Sequence, residues 1–543
     1  MTKVNPKDII TARNKLNGSR NLFTSAWDDA ARYCLPAQDE VGGTTTSDQA
    51  PADSAGVRSA SVLASGLFSN AVTSGQRWFA LQATDEKLND DSAVSEWLTE
   101  TTQRIHKAIV ASNFSVKIHE TLVDYVIYGT ACLYVEMSDL GELTFRTYQV
   151  PSGVGIAENA EGRVDTLYRT FKLSAKQAVQ KFGGEVSDKI QKAVASPSRM
   201  HEEFEFIHAV YPDIQLTKGK LKKVKDRPFI SAYVEVDERH LVRQGGYEQF
   251  PFQVPRFWKV GDECYGRSPA MAALGDLRML CRASLDILDA TEMAISPPTF
   301  LPAGSDDPKL VPGAVNFYNP SDGGKPFFYP AGAVQIAPEF LERYHEAIRE
   351  LFYADLFMML EQRKNMTATE VQERINEKIQ SISPVVSRLQ EELFALMIER
   401  VVSLMADAGQ LPAAPPMLAE KGYAVNYTSR LDSRLKHYEV TVLTEAIGIA
   451  AQLTQAVGEA GPVELQALYK IRKVLRDIAL SLGVDVDLLR SEQESDDFMK
   501  QVQDVRKQQQ EQAMVAEKVK PIDVQKPIES GSPLEAMAGT VQQ

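Results

Sequence analysis

One stretch, Phe257–Ile295 (FWKVGDECYGRSPAMAALGDLRMLCRASLDILDATEMAI), constrains the fold of this chain more than any other. It passes from a β-like segment through a tight loop into a helix of roughly seven turns. Ser268 followed by Pro269 marks the helix start, because a serine side chain accepts from the first free N–H groups and proline has no N–H to leave unsatisfied there. Leu274, Leu277, Cys281, Leu285 and Leu288 then recur at spacings of three and four, giving one continuous apolar stripe. Pro297 and Pro298 stop the helix. Loop and helix together are the mechanical spine of the chain.

Within the spine, Gly261-Asp-Glu-Cys-Tyr-Gly266-Arg267-Ser268 has the GxxxxG spacing of a phosphate-binding loop. Such a loop aims successive backbone N–H groups at phosphate oxygens, with a lysine reaching the terminal phosphates. Here arginine stands in place of lysine, and Asp262 and Glu263 would set two negative charges against a triphosphate. The residues predict a strand-to-helix corner whose glycines permit close backbone approach, with a nucleotide-dependent DNA-processing enzyme as the rival. Asp286, Asp289 and Glu292, three residues apart, read as a solvated acidic face of the helix before they read as metal ligands or an acid–base pair. The histidines are dispersed without HExxH spacing, and there is no GxSxG elbow. No enzyme, metal or cofactor is expected. Arg363 and Lys364, with Asn365, fall in a polar break between two helical patterns, where a loop would meet a passing polyanion.

The net charge is −14 with a pI near 5.2. An acidic surface of that size opposes tight phosphate gripping, but not a polyanion sliding past. Four cysteines, Cys34, Cys132, Cys264 and Cys281, have no metal spacing and read as reduced intracellular thiols. The polar N-terminus lacks a signal-peptide core, and no apolar run of about 18 residues exists to span a membrane. Use in a cytoplasm is expected.

Read in order, 6–35 is a helix burying Ile9, Ile10, Leu16, Leu22, Phe23, Trp27 and Ala31 on one face. Ser54–Ser74 is a small-residue helix, and 92–112 and 115–131 are two more, the last ending near Gly129. LYVEM, LTFRTYQV, TLYRTFKL, EFEFIHAVY, FISAYVEV and QVPRFWKV read as strands of a modest sheet, with a hairpin turn at Asn159–Gly162 and a short helix at Ser174–Phe182. Residues 296–336 form a β-rich insert, with strands at Val315–Tyr318, Phe327–Tyr329 and Val334–Ile336. A second long helix opens at Pro338 and continues through Leu351, Phe352 and Met359. After the capping-box spacing of Thr367 and Glu370, a further helix runs to about Met405, kinked at Ser383-Pro384. A Pro-rich loop leads to a strand at Tyr423–Tyr427, and helices follow over 436–482. The tail from about 491 is polar, largely disordered and Gln-rich. The fold class is α+β, predominantly helical.

The order of elements resembles the head-to-tail connector (portal) proteins of short-tailed, podovirus-type bacteriophages. The likeness is carried by DSAGVRSASVLASGLFSNAVTSGQRWFAL (Asp53–Leu81), by GDECYGRSPAMAALGDLRML (Gly261–Leu280), and by two long helices around a β-rich insert followed by Met366-Thr-Ala-Thr-Glu-Val371. The resemblance implies a non-enzymatic subunit of a ring of about twelve at one capsid vertex of the virion, assembled in the host cytoplasm. Double-stranded DNA would pass through it without sequence preference. The terminase large subunit, tail adaptor or tail tube proteins, and the major capsid and scaffolding proteins would be its partners. It implies a wing over 1–265, a first stem helix over 266–295, a clip over 296–337 and a second stem helix over 338–362. A tunnel loop would follow over 361–367, bearing Arg363, Lys364 and Asn365. A kinked wing helix and return strand would occupy 367–435, and a helical crown 436–490. Asp286, Asp289 and Glu292 become the candidate channel wall, and Gly261, Gly266, Arg267 and Ser268 the hinge from wing to stem. A ring of about twelve such chains carries roughly −170 charges, which favours passage of a polyanion over its retention. A helical scaffold or adaptor working as a monomer or dimer is the second rival.

Overall fold

Helix α1, Pro6–Cys34, begins where sequence logic places it: the Asn5 side chain accepts from the Lys7 N–H at 3.2 Å and Pro6 fills the first position. The structure is a computed structural model that describes residues 4–35, 51–72, 77–85, 88, 91–138, 140–213, 227–302, 307–318, 325–328, 338–359 and 380–427, with scattered positions between 495 and 507. Two compact units divide the chain, Met1–Gly483 and Val484–Gln543. In the second, the described residues 498–502 are helical. All that follows concerns the first.

Helix α1 buries Ile9, Phe23, Trp27, Ala30, Ala31 and Cys34. Leu22, expected on that face, is 83% exposed. It neighbours Phe23 in sequence, and the helical turn of about 100° between them carries it off the buried face. Helix α2, Ala55–Ala71, carries Gly56, Ser59, Ala60, Ala64, Gly66 and Ala71 along its buried side, beside Leu63, Leu67 and Asn70. That lets helices approach closely: a Cβ on Gly66 would overlap the ring of Phe357. Strand β1, Phe79–Ala83, precedes α3, Ser92–Ala111, capped by Asp91, and α4, Phe114–Tyr128, which ends on Gly129 at φ 73.

Strands β2 (Leu133–Met137) and β3 (Leu143–Thr147) form a hairpin, which β9 (Phe252–Gln253) extends in the order β3-β2-β9. Between them lies an antiparallel meander of β4 (Val154–Glu158), β5 (Val164–Ser174), β6 (Glu203–Pro212), β7 (Phe229–Glu235) and β8 (His240–Tyr247). The Asn159–Gly162 turn is present, with the Asn159 side chain accepting from the Glu161 and Arg163 N–H groups at 3.0 and 2.9 Å. Alternation along β6 explains the layering. Phe204 and Phe206 face α5 (Ala175–Phe182) and α6 (Asp188–Val194), whereas Ile207 and Ala209 face Ile9 at the start of α1. The sequence reading missed β4, β8 and α6. It also extended QVPRFWKV into a strand, where only Phe252–Gln253 and two isolated bridges pair.

A short helix α7, Pro269–Ala272, leads through Ala273 into α8, Leu274–Ile295. The insert contains β10 (Thr299–Pro302), β11 (Val315–Tyr318) and β12 (Phe327–Phe328) in the order β11-β10-β12. The Asn316 side chain ties Lys309 to the sheet edge through both its N–H, at 2.6 Å, and its carbonyl, at 2.9 Å. The expected strand at Val334–Ile336 lies outside the described residues. Helix α9, Pro338–Leu351, packs on α8 and α2. It does not continue unbroken as expected: Phe352 is buried, Tyr353 turns to φ 51, and α10, Ala354–Met359, follows. The core contacts of Phe352 outweigh helix continuity there.

Helix α11 spans 380–389 and runs through Pro384 without interruption. Ile382, Val385, Val386 and Leu389 are all buried and hold this segment against the core across the proline. The irregularity comes later, as a π-helical turn at Gln390–Ala395 before α12, Leu396–Asp407. Helix α13, Pro416–Lys421, precedes β13, Tyr423–Tyr427, which pairs antiparallel with β1 and closes the unit across most of its length.

Two glycines separate backbone freedom from packing. Gly18, in α1, has open space where a methyl group would stand, so Gly18→Ala should raise stability by about 0.5–1 kcal/mol. Gly66→Ala, against the Phe357 ring, should lower it by about 1–3 kcal/mol. Denaturant unfolding of both variants checks the contrast, and equal effects would contradict the α2 packing.

Candidate functional site: the corner between the sheets and the long helix

Gly266 is where three segments meet. A Cβ there would overlap the Gly129 carbonyl and press on Arg256 Cβ at 2.9 Å. A Cβ on Gly129 would in turn meet the Gly266 carbonyl at 2.6 Å. Two glycines are needed because two backbones touch. The contact is sealed by hydrogen bonds: Gly266 N–H donates to Thr130 Oγ1 at 2.8 Å, and Phe257 N–H to the Gly129 carbonyl at 2.8 Å. Trp258 and Arg267 exchange two backbone bonds of 3.1 and 2.7 Å. Ser268 accepts from Met271 N–H at 2.9 Å, capping α7, and donates to the Ile127 carbonyl at 2.7 Å. Gly261 serves differently, taking φ 53 in open space at the tip of the turn.

Tyr265, Gly266 and Ser268 of the loop are buried, whereas Asp262 and Arg267 are exposed. Arg267 is held by Glu263 at 2.6 Å, and that hydrogen bond keeps the Glu263 carboxyl below its ordinary range. Tyr265 is buried; its hydroxyl donates to the Val154 carbonyl at 3.2 Å while its ring packs on Phe23 and Trp27. Burial pushes the Cys264 thiol up to about 11. The Glu263, Gly266 and Arg267 N–H groups are engaged by Val260, Thr130 and Trp258, and α7 has a single turn. The loop is a structural corner, as its glycines and acids indicate.

Behind the corner sits a cluster that the sequence reading missed. Arg256 is 3% exposed and pairs with Glu158 and, at 2.6 Å, with Glu392 of the π-helical turn. Lys259 pairs with the second Glu158 oxygen at 2.7 Å, and Arg256 also donates to the Gly162 carbonyl at 2.9 Å. Burial pushes the Arg256 pKa down, but hydrogen bonding and charge from Glu392 and Glu158 outweigh it and hold the guanidinium above its ordinary value. A lone arginine in the apolar run FQVPRFW was the available signal, since a buried charge requires a partner.

A family comparison decides the wider identity: the profile of "Bacteriophage head to tail connecting protein" matches residues 6–489. The chain belongs to this connector family. Over 447 residues it is 29% identical to the "Probable portal protein" of Bordetella phage BPP-1, covering 78% of this chain and 79% of that one. The "Portal protein" of Salmonella phage epsilon15 is 27% identical over 478 residues, 85% of each chain. That of Enterobacteria phage T3 is 23% identical over 514 residues, 88% of each.

In this connector the apolar stripe of α8 changes character along its length. Leu274, Leu277 and Cys281 are buried in the core, whereas Leu285 and Leu288 are 44% and 53% exposed. Asp286, Asp289 and Glu292 are all exposed, and Asp286 pairs with Arg282 at 2.9 Å. They do not form one face opposite the stripe. Each step of three residues turns back by about 60°, which brings Glu292 to within about 20° of the Leu285 direction, on the stripe itself. Arg363, Lys364 and Asn365 lie outside the described residues. Among the described residues no group of His, Cys, Asp or Glu converges to hold a metal, and no helix is long and apolar enough to cross a membrane.

The Arg256 cluster has a thermodynamic signature. Arg256→Met and Glu392→Gln should each cost about 3 kcal/mol or more, because each strands a buried charge or donor. The double variant should cost less than the two together by at least about 1 kcal/mol. Urea unfolding followed by tryptophan fluorescence, with Trp258 beside the cluster, measures this, and strict additivity would show that the pair is not a clamp.

Proposed function

We infer that this connector is a portal subunit: a structural, non-enzymatic protein that forms a ring at one capsid vertex, through which double-stranded DNA is packaged and ejected. The observation that carries the reading is the family match over 6–489. The α8 helix supports it, because its apolar stripe continues past the buried Leu274, Leu277 and Cys281 to the exposed Leu285 and Leu288. In this reading α8 and α9 with α10 are the stem and the insert 296–337 is the clip, which docks the terminase large subunit and then tail adaptor or tail tube proteins. Residues 1–265 and 367–435 form the wing, against capsid and scaffolding proteins, and 436–490 the crown. Ring formation covers Leu285 and Leu288 against a neighbouring copy and leaves Asp286 and Asp289 toward the bore, with Glu292 at the seam. A virion location and assembly in the host cytoplasm follow.

Leu277 belongs to the core of the single chain, so a charge there tests folding and not assembly. Leu285→Asp with Leu288→Asp is the informative variant. It should keep the helical circular dichroism of the native chain yet remain monomeric in native mass spectrometry, while the unaltered protein forms a ring of about twelve, because a charge buried at such an interface is strongly unfavourable. Rings formed equally well by the variant would overturn the stem assignment, and a stable monomer of the unaltered protein would overturn the portal reading.

The segment 361–367 is proposed as the tunnel loop, with Arg363 and Lys364 making transient phosphate contacts and Asn365 beside them. Arg363→Ala with Lys364→Ala should leave ring assembly intact and lower DNA packaging or retention in an in vitro packaging assay. Unchanged packaging would remove the DNA-contacting role.

A further inference from the structure

On the face of the five-stranded sheet that carries α5 and α6, cations and aromatic rings alternate in a row. The Arg169 guanidinium lies 3.8 Å from the centre of the Tyr148 ring and 4.5 Å from that of Phe171. Lys181 Nζ follows, 4.9 Å from Phe171, 5.4 Å from Phe182 and 5.2 Å from Tyr233. Arg243 stands 5.7 Å over the other side of the row, at Phe182. Arg146 lies near Tyr148 at the first end.

The row is under-neutralised. Arg146 pairs with Glu136 at 2.8 Å and Arg243 with Glu185 at 3.1 Å. Arg169 and Lys181, in the middle, have no carboxylate partner among the described residues. Burial, then the charges of Arg169, Arg146 and Arg243, push the Lys181 pKa down to about 8. In a chain of net charge −14, four cations brought together against their own repulsion make a preorganised positive surface. Its rigidity comes from the rings: a guanidinium wedged between two aromatic faces loses little further freedom when its N–H edge engages a carboxylate.

We propose that the row Arg146, Arg169, Lys181 and Arg243 is a docking surface for an acidic peptide segment of a partner protein. Carboxylates spaced along a short peptide match discrete cations set between rings. Single-stranded nucleic acid fits less well, because it binds by stacking bases on free ring faces and these faces already carry cations. Glu136 and Glu185 beside the row, together with the acidic remainder of the chain, oppose a long polyanion. The proposal concerns the five-stranded sheet and does not rest on the channel reading.

The test uses the full chain and fluorescence anisotropy at low ionic strength. The probe is a labelled peptide of alternating glutamate and glycine, with a lysine–glycine peptide and an oligothymidylate of equal length as controls. The glutamate peptide should bind saturably and weaken as salt is added, and the lysine peptide should not bind. Lys181→Gln with Arg243→Gln should reduce affinity about tenfold or more while circular dichroism is unchanged. Arg169 is left in place, since it is wedged between rings. Absence of saturable glutamate-peptide binding would overturn the proposal, as would equal affinity in the double variant. Displacement of the peptide by oligothymidylate at equal concentration would reassign the surface to nucleic acid.

Discussion

The rest of the structure depends on one contact between two backbones, at Gly129 and Gly266. Because neither residue has a side chain, the end of α4 and the turn before α7 come close enough for Ser268 to bond the Ile127 carbonyl and for Gly266 to bond Thr130. That fixes where the long helix starts and the direction in which it leaves. A methyl group at either position would force two hydrogen-bonded backbones apart, and no flexible side chain stands nearby to absorb the shift.

Around this contact the chain places its least forgiving electrostatics. Arg256 is buried beside the corner and is tolerable only because Glu158 and Glu392 are there too. Glu392 belongs to the π-helical turn between α11 and α12, so that irregular turn is tied to the strand–turn segment that feeds α8. A widened turn re-aims the side chains that follow it, and here the residue within it that reaches the corner is a charged one. Corner, clamp and π-turn form one mechanical unit.

From that unit α8 runs out of the core. Its first half is packed by the chain itself; its second half keeps Leu285 and Leu288 in the solvent. In this member of the head-to-tail connecting family, the anchored end of the helix is covered by its own chain, and the far end presents an exposed apolar surface.

The sequence by itself determined much of this. The Ser268-Pro269 cap, the stop at Pro297-Pro298, the Asn159 turn and the alternation of β6 are local rules, satisfied by residues a few positions apart, and each is found in place. The corner reading of Gly261–Ser268 was equally legible, because misplaced acids argue against phosphate without any structure. What only the tertiary structure decided were contacts across long separations. Glu392 reaches Arg256, β13 finds β1, Pro384 stays helical because buried neighbours hold it, and Leu22 turns outward beside a buried Phe23. Spacing along a helix shows that residues share a side, but which side the core takes, and how far along, depends on what the remainder of the chain brings to it. For that reason one stripe on α8 is half core and half surface, and Glu292 lies on it where an opposite acidic face was expected.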